Sequence, residues 1–366
     1  MIHRLGTAAI AAAAILALVG CSNPAGSSSS TKSTTSTSSY SGSTVPTKVS
    51  VKTPKSLNSS TSTTANVVKA RGGVSSAQSE GYNEITSMTG MMKSMMPMAV
   101  MFGMIVDQAI NNNGITPGTD KTTSTTVTFT QEMYNAMAAQ VPSDDTTSAS
   151  GEIGSTMTLS EVNYYAKGTG ATPNSVKIAV DMSSAGSGTG GTSTNPTITY
   201  SWSDDKKSVK IVMDMSGMTM TIAYDDTDQS GAFKMDDGQG DTFQMSLDPD
   251  STSSTNGASA NLTVSTSSMG TFSIYGYADD NGGIVTTTIT PATNSGMSTM
   301  YWEEGFDNTG TLVYPASSST DTAALASATA SYTSTSTTLT ETSCKSAYST
   351  KASAATTITC GATSLL

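Results

Sequence analysis

Apolar positions along this chain change their period as it proceeds. Between Ser79 and Asn113 they fall mostly three or four apart, at Ile85, Met88, Met92, Met95, Phe102, Ile105, Val106, Ala109 and Ile110, which is the spacing of one helix face. Pro97 lies inside the run and lacks a helical N–H, so the pattern predicts a helical hairpin or a kinked helix covering a sheet. The apolar stretch from Met95 to Val106 is bounded by Lys93 and Asp107. It is shorter than the about 20 residues a bilayer span needs, so a transmembrane helix is not expected.

Beyond Lys121 the period becomes two. Short segments rich in Val, Ile, Thr, Tyr and Met alternate with Asp, Asn and Gly, the sign of strands joined by turns. Ser203-Asp204-Asp205-Lys206 separates Thr197–Trp202 from Val209–Met215, Asp279-Asp280-Asn281-Gly282 separates Phe272–Tyr277 from Ile284–Ile289, and Asp307-Asn308-Thr309-Gly310 precedes Leu312–Tyr314. These are hairpin connections. In Val209, Ile211, Met213 and Met215 the apolar residues alternate with Lys210 and Asp214, giving the one wet face of an antiparallel sheet. Roughly ten to twelve such segments between Thr122 and Tyr314 exceed what a flat open sheet holds, so the expected fold is mainly β: a curved antiparallel meander, half-barrel or barrel.

The two ends read differently. Ser22 to about Ala65 is a Ser/Thr tract with Pro24, Pro46 and Pro54, too poor in apolar surface to offset its ordering entropy and expected to be a disordered tether. Ala316 to Leu366 is again Ser, Thr and Ala, a low-complexity appendage with one short helix expected near Thr322–Ala330. The division that follows is residues 1–20 as a leader, 21–68 as tether, 69–118 as a methionine-rich helical segment, 119–315 as the β domain and 316–366 as the tail.

The leader has a basic start, Met1 to Arg4, and an apolar run from Leu5 to Val19, the layout of a signal peptide. It ends in Leu18-Val19-Gly20-Cys21, which resembles the lipobox of bacterial lipoproteins. The resemblance covers these first residues alone. It implies cleavage before Cys21, a lipid on that thiol, a membrane partner reached through the lipid, and residence in the bacterial cell envelope. Ser22 follows where an Asp commonly marks inner-membrane retention, so the outer membrane is favoured where there is one. With Cys21 lipidated, Cys344 and Cys360 remain and an oxidising envelope lets them pair. Loop closure of that length contributes about 3 kcal/mol in the chain-entropy picture.

Charge and composition narrow the chemistry. The 366-residue chain carries a formal charge of -11 with only 12% charged residues, which argues against a nucleic-acid partner. Its single histidine is His3, inside the leader, so catalysis and metal sites built on imidazole are not expected in the exported protein. Ser203 and Lys206 match S-x-x-K but sit on a turn rather than a helix. Gly186, Gly188 and Gly191 match G-x-G-x-x-G without a following helix and read as a loop. Glu303 and Glu304 follow Tyr301 and Trp302, but adjacent strand residues point to opposite faces and cannot form a facing acid–base pair. Asp226, Asp228 and Ser230 with Gly231, and Asp237 closing the loop, resemble a calcium loop. Against it stand Lys234 at a ligand position, Asp for the usual Glu, and strand-like flanks.

Methionine is the outstanding feature, with 22 in the chain. Met91, Met92, Met95, Met96, Met98, Met101 and Met104 cluster on the helical segment, and Met213, Met215, Met218 and Met220 alternate on strands. Core packing is the default for so adaptable a side chain. The alternatives are an apolar groove lined by Met92, Met95, Met101, Phe102, Met213 and Met215, and Cu(I) held by thioethers, since M-x-x-M clusters resemble those of periplasmic copper-handling proteins. The reading that emerges is a non-catalytic envelope lipoprotein holding a lipid or other hydrophobic ligand between helix and sheet, similar in outline to half-barrel lipid carriers. A structural or surface-display lipoprotein without a small ligand is the competing reading.

Overall fold

Period-two segments and their Asp/Gly turns build a meander in which each strand pairs with the next along the chain. The computed structural model describes residues 34–42, 44–58, 80–116, 119–138, 153–181, 195–251, 256–293, 300–307, 312–314, 331–333 and 338–340. Cys21, Cys344, Cys360, the Gly186–Gly191 motif and the expected helix at 322–330 lie outside them.

Thirteen strands form one sheet in sequence order. They are β3 (Lys121–Thr128), β4 (Thr156–Tyr164), β5 (Asn174–Val180), β6 (Thr197–Trp202), β7 (Ser208–Met215), β8 (Met218–Asp225), β9 (Ser230–Asp236), β10 (Thr242–Pro249), β11 (Ala258–Thr266), β12 (Gly270–Asp279), β13 (Gly282–Pro291), β14 (Met300–Asp307) and β15 (Leu312–Tyr314). All pairings are antiparallel. The edges β3 and β15 do not meet, so the sheet is open. Of the shapes the pattern allowed, the closed barrel is not formed.

The helical segment is one helix, α1 (Glu80–Asn113), with Pro97 inside it. The helical-hairpin alternative is thereby corrected. Tyr224 of β8 donates to the Met92 carbonyl at 2.9 Å, fastening the helix to the sheet just before the proline. Along the helix, Tyr82 meets Phe306 of β14, ring centroids 5.1 Å apart, while Gln108 bonds to Thr128 of β3. From Tyr82 to Gln108 a helix rises about 39 Å, whereas β14 to β3 laid flat spans about 53 Å. The sheet therefore bends around the helix. By length and composition α1 could cross a membrane, but its apolar residues Met92, Met95, Met96, Met98, Ala99, Val106 and Ala109 are buried in the core. A helix apolar all round is one enclosed by protein.

The unstructured tether expected over 21–68 is wrong for Thr34–Asn58. Here β1 (Thr34–Ser39) and β2 (Lys48–Thr53) form an antiparallel hairpin, followed by a 3-10 turn at Lys55–Asn58. The composition argument failed because few apolar residues suffice when all are used. Val45, Val49, Val51 and Leu57 are buried against α1 and the end of β8–β10 that carries the Asp226–Gln229 turn, hereafter the turn end, and Thr and Val favour strands. This strap, together with α2 (Gln131–Ala138), covers sides of α1 that the sheet leaves bare. In the tail, β16 (Ser331–Thr333) pairs with β17 (Thr338–Thr340), a pairing its weak periodicity did not suggest.

Candidate functional site

Register decides which side chains share the helix-side face. Tyr200 pairs with Ile211, Ile211 with Ile222, and Ile222 with Phe233, a cross-strand row that lies under α1 at β6. One row further from the turn end stand Ile198, Met213, Met220, Met235, Phe243, Val264 and Phe272, each opposite the next. Ile198, Met213 and Met220 are buried. Met235, Phe243, Val264 and Phe272 are half-buried, and with Leu262 they form an apolar strip on the concave face.

The strip is only half-buried because α1 crosses the sheet obliquely. At β6 the helix lies on the Tyr200 row, where a methyl group placed on Gly103 would come 3.0 Å from Tyr200 Oη. At β9 it lies on the next row toward the turn end, where a methyl group on Gly231 would come 2.9 Å from Met92 Sδ, and at β12 a methyl group on Gly276 would overlap Ile85. Two rows then separate the helix from Phe243, or about 13 Å along the strands. Tyr82 and Asp107 occupy the flank of α1 facing the turn end, since Tyr82 meets Phe306 and Asp107 holds the strap. At about 3.6 residues per turn, Met88, Met91 and Met95 fall on the other flank, beside the strip. Met91 is 42% exposed, and Met269, in the β11–β12 turn, 48%. Phe233 and Phe243 stack edge to face with centroids 5.8 Å apart, so the floor is ordered. From Met235 to Phe272 it is about 14 Å long.

Against this geometry, the residues expected to line a groove mostly do not. Met92, Met95, Met101, Phe102 and Met213 are buried core residues, and the three glycine contacts leave no space for a ligand between α1 and β6, β9 or β12. Of that set only Met215, paired with Met218, is half-buried. The strip itself was missed. The signal lay in the hairpin turn Asp237–Asp241, which fixes Met235 opposite Phe243.

The structure does not bring the four residues of the calcium loop together. Strand β9 runs from Ser230 to Asp236, so Asp237 sits at the far end of an extended strand, about 23 Å from Ser230. Asp226 instead pairs with Lys48 at 3.1 Å and bonds Ser50. Asp228 accepts from the Ser230 backbone N–H at 3.1 Å, and Asp237 from the N–H groups of Gln239 and Asp241 at 2.8 and 2.9 Å. Among the described residues no three His, Cys, Asp or Glu side chains gather where a metal ion could sit. Ser203 Oγ donates to Asp205 at 2.6 Å and accepts from the Lys207 and Ser208 N–H groups, so its bonds hold the hairpin turn. The Asp205 carboxyl is held below its usual range by that bond and by the Lys207 N–H, and that of Asp204 by bonds from Lys167 and Asn174.

Carboxylates also fasten the strap. Asp107 Oδ1 accepts from the Thr44 and Val45 N–H groups at 2.9 and 3.4 Å, Glu132 from the Ser41 N–H at 3.1 Å, and Asp280 from the Lys55 N–H at 2.7 Å. Beside Asp107, burial pushes the hydroxyls of Tyr40 and Tyr200 far above the ordinary phenol range, and Tyr224 behaves likewise. On α1 itself, burial brings the Lys93 ammonium down to about 8. The Tyr224 hydroxyl and the carboxylates of Asp107, Glu132 and Asp280 hold elements together.

No family model matches this chain, and neither a curated protein nor a solved structure is similar to it.

Proposed function

We propose that this chain is a non-catalytic lipoprotein of the bacterial cell envelope, anchored through lipid on Cys21 at the outer membrane, and that it holds an acyl chain or similar hydrophobic ligand along the strip beside α1. The observation that carries the reading is the row Met235, Phe243, Val264 and Phe272, half-buried on the face where Phe233, Met245 and Ile274 of the adjoining row are core. Half a bilayer's hydrocarbon thickness is about 15 Å, so a floor of about 14 Å matches one acyl chain of a leaflet. Methionines at its margin, Met91, Met215, Met218 and Met269, suit varied apolar partners. The ligand lies beside the helix, not beneath it.

Protein beginning after Cys21, purified from a bacterial periplasm and examined by native mass spectrometry with lipid extraction and elemental analysis, tests this. Stoichiometric lipid mass that is lost in Phe243→Ser is the expected result. Bare protein, or lipid that Phe243→Ser retains, overturns the strip as the site, and bound copper transfers the methionines to the thioether reading. The structural-lipoprotein reading is favoured by one specific observation, the direct helix–sheet contacts at Gly103, Gly231 and Gly276, and bare protein of full stability would support it.

A further inference from the structure

Strand β3 is one edge of the thirteen-stranded sheet, and an edge is a row of backbone groups open to another chain. Its odd-numbered residues turn toward β4: the Phe129 N–H donates to Ser155 O and the Gly154 N–H to Phe129 O, both at 2.9 Å. Thr126 and Thr128 therefore direct their backbone groups outward. The last turns of α1 meet them there. Gln108 Nε2 donates to Thr128 O at 3.0 Å and the Thr128 N–H donates to Gln108 Oε1 at 2.8 Å. Asn112 Nδ2 donates to Thr126 O at 2.8 Å. The Gln108 amide thus makes the pair of bonds that a residue of a neighbouring strand would make. The spacing fits, since four helical residues rise about 6 Å and two strand residues advance about 6.8 Å.

We propose that Gln108 and Asn112 guard an interaction edge whose partner is β3 of a second copy of this chain. The strand itself is suited to such pairing. Lys-Thr-Thr-Ser-Thr-Thr-Val-Thr contains no proline, one charge and mainly threonine, and most of its side chains are exposed. Its exposed face, Thr122, Ser124, Thr126 and Thr128, is wholly polar, so that face sets register only weakly against a new partner. Antiparallel self-pairing sets the two Lys121 residues at opposite ends, so the charge does not oppose it. Beyond the amides, the irregularity between Thr123 and Thr125 is the one interruption of the β3–β4 ladder. With the guard in place the chain stays single; without it two sheets join edge to edge through a two-fold axis.

The test uses protein beginning after Cys21 and sedimentation velocity over a range of concentrations. The parent is expected to be monomeric and Gln108→Ala/Asn112→Ala to dimerise, its dissociation constant falling at least tenfold. Adding Thr126→Pro, which removes an outward N–H, returns the double variant to monomer. A double variant with unchanged circular dichroism that stays monomeric overturns the proposal, as does a dimer that survives Thr126→Pro. If the double variant does not fold, Gln108→Glu keeps the acceptor and loses the donor. It is then expected to dimerise more weakly, and a folded monomer overturns the guard.

Discussion

Two halves of one cross-strand row share their chemistry and differ in their fate. On β6, β7 and β8, Ile198, Met213 and Met220 are 7, 2 and 3% exposed. On β9 to β12 the same row continues as Met235, Phe243, Val264 and Phe272, all half-buried. Both sets are wholly apolar, so polarity does not separate them. What separates them is the slant of α1, adjacent to the row at β6 and two rows away at β9. Alternation along a strand reports which face is apolar, and only the placement of the covering element reports which part of that face is core.

Paired truncations break or sharpen this contrast. Met213→Ala leaves a cavity in a closed part of the core and is expected to cost about 2–5 kcal/mol in denaturant unfolding. Phe243→Ala removes a larger side chain but one already facing water, so its expected cost is about 1–2 kcal/mol while bound lipid is lost. Equal costs would make the strip ordinary core and remove the basis for the ligand. Next in size is Gly276→Ala, whose methyl meets Ile85 at the helix–sheet contact. Overpacking there is expected to cost about 1–3 kcal/mol, with lipid stoichiometry unchanged if the ligand lies beside the helix. A lipid loss in Gly276→Ala would instead return the ligand to the space beneath α1.

How far the sequence disclosed this arrangement follows from the range of each interaction. The sheet was legible because Val209, Ile211, Met213 and Met215 alternate locally and Asp279–Gly282 closes a hairpin within a few residues. The helix was legible from three-and-four spacing, but its continuity through Pro97 depends on packing against strands more than a hundred residues away, of which Tyr224 is one. The strap at 34–58 escaped because its stability lies in distant partners, Asp107, Asp226 and Asp280, not in its own composition. Asp226, Asp228 and Asp237 looked like one loop because spacing was measured along the chain, whereas an extended β9 draws Asp237 away from the other two. The strip required two facts no local pattern holds, the register of four hairpins and the slant of the helix.

The smallest effect reports how dry the helix is at its N-terminal half. Burial lowers Lys93 from 10.5 to about 8, so the folded state disfavours the ammonium that the unfolded chain carries freely. Below pH 8 both states are protonated and the full penalty applies. As pH rises from about 8 toward 10.5 the folded protein has released a proton that the unfolded chain still binds, and stability increases with pH across that window. Lys93→Met is expected to abolish that rise and to stabilise the protein by about 1–2 kcal/mol at pH 7, below the roughly 3–4 kcal/mol that the shift corresponds to, because the side chain is only half-buried. Denaturant unfolding of both proteins at pH 7, 8, 9 and 10 measures it. A parent whose stability is flat over that range would mean that water reaches the N-terminal half of α1, and the oblique crossing would then leave the helix, not only the strip, partly uncovered.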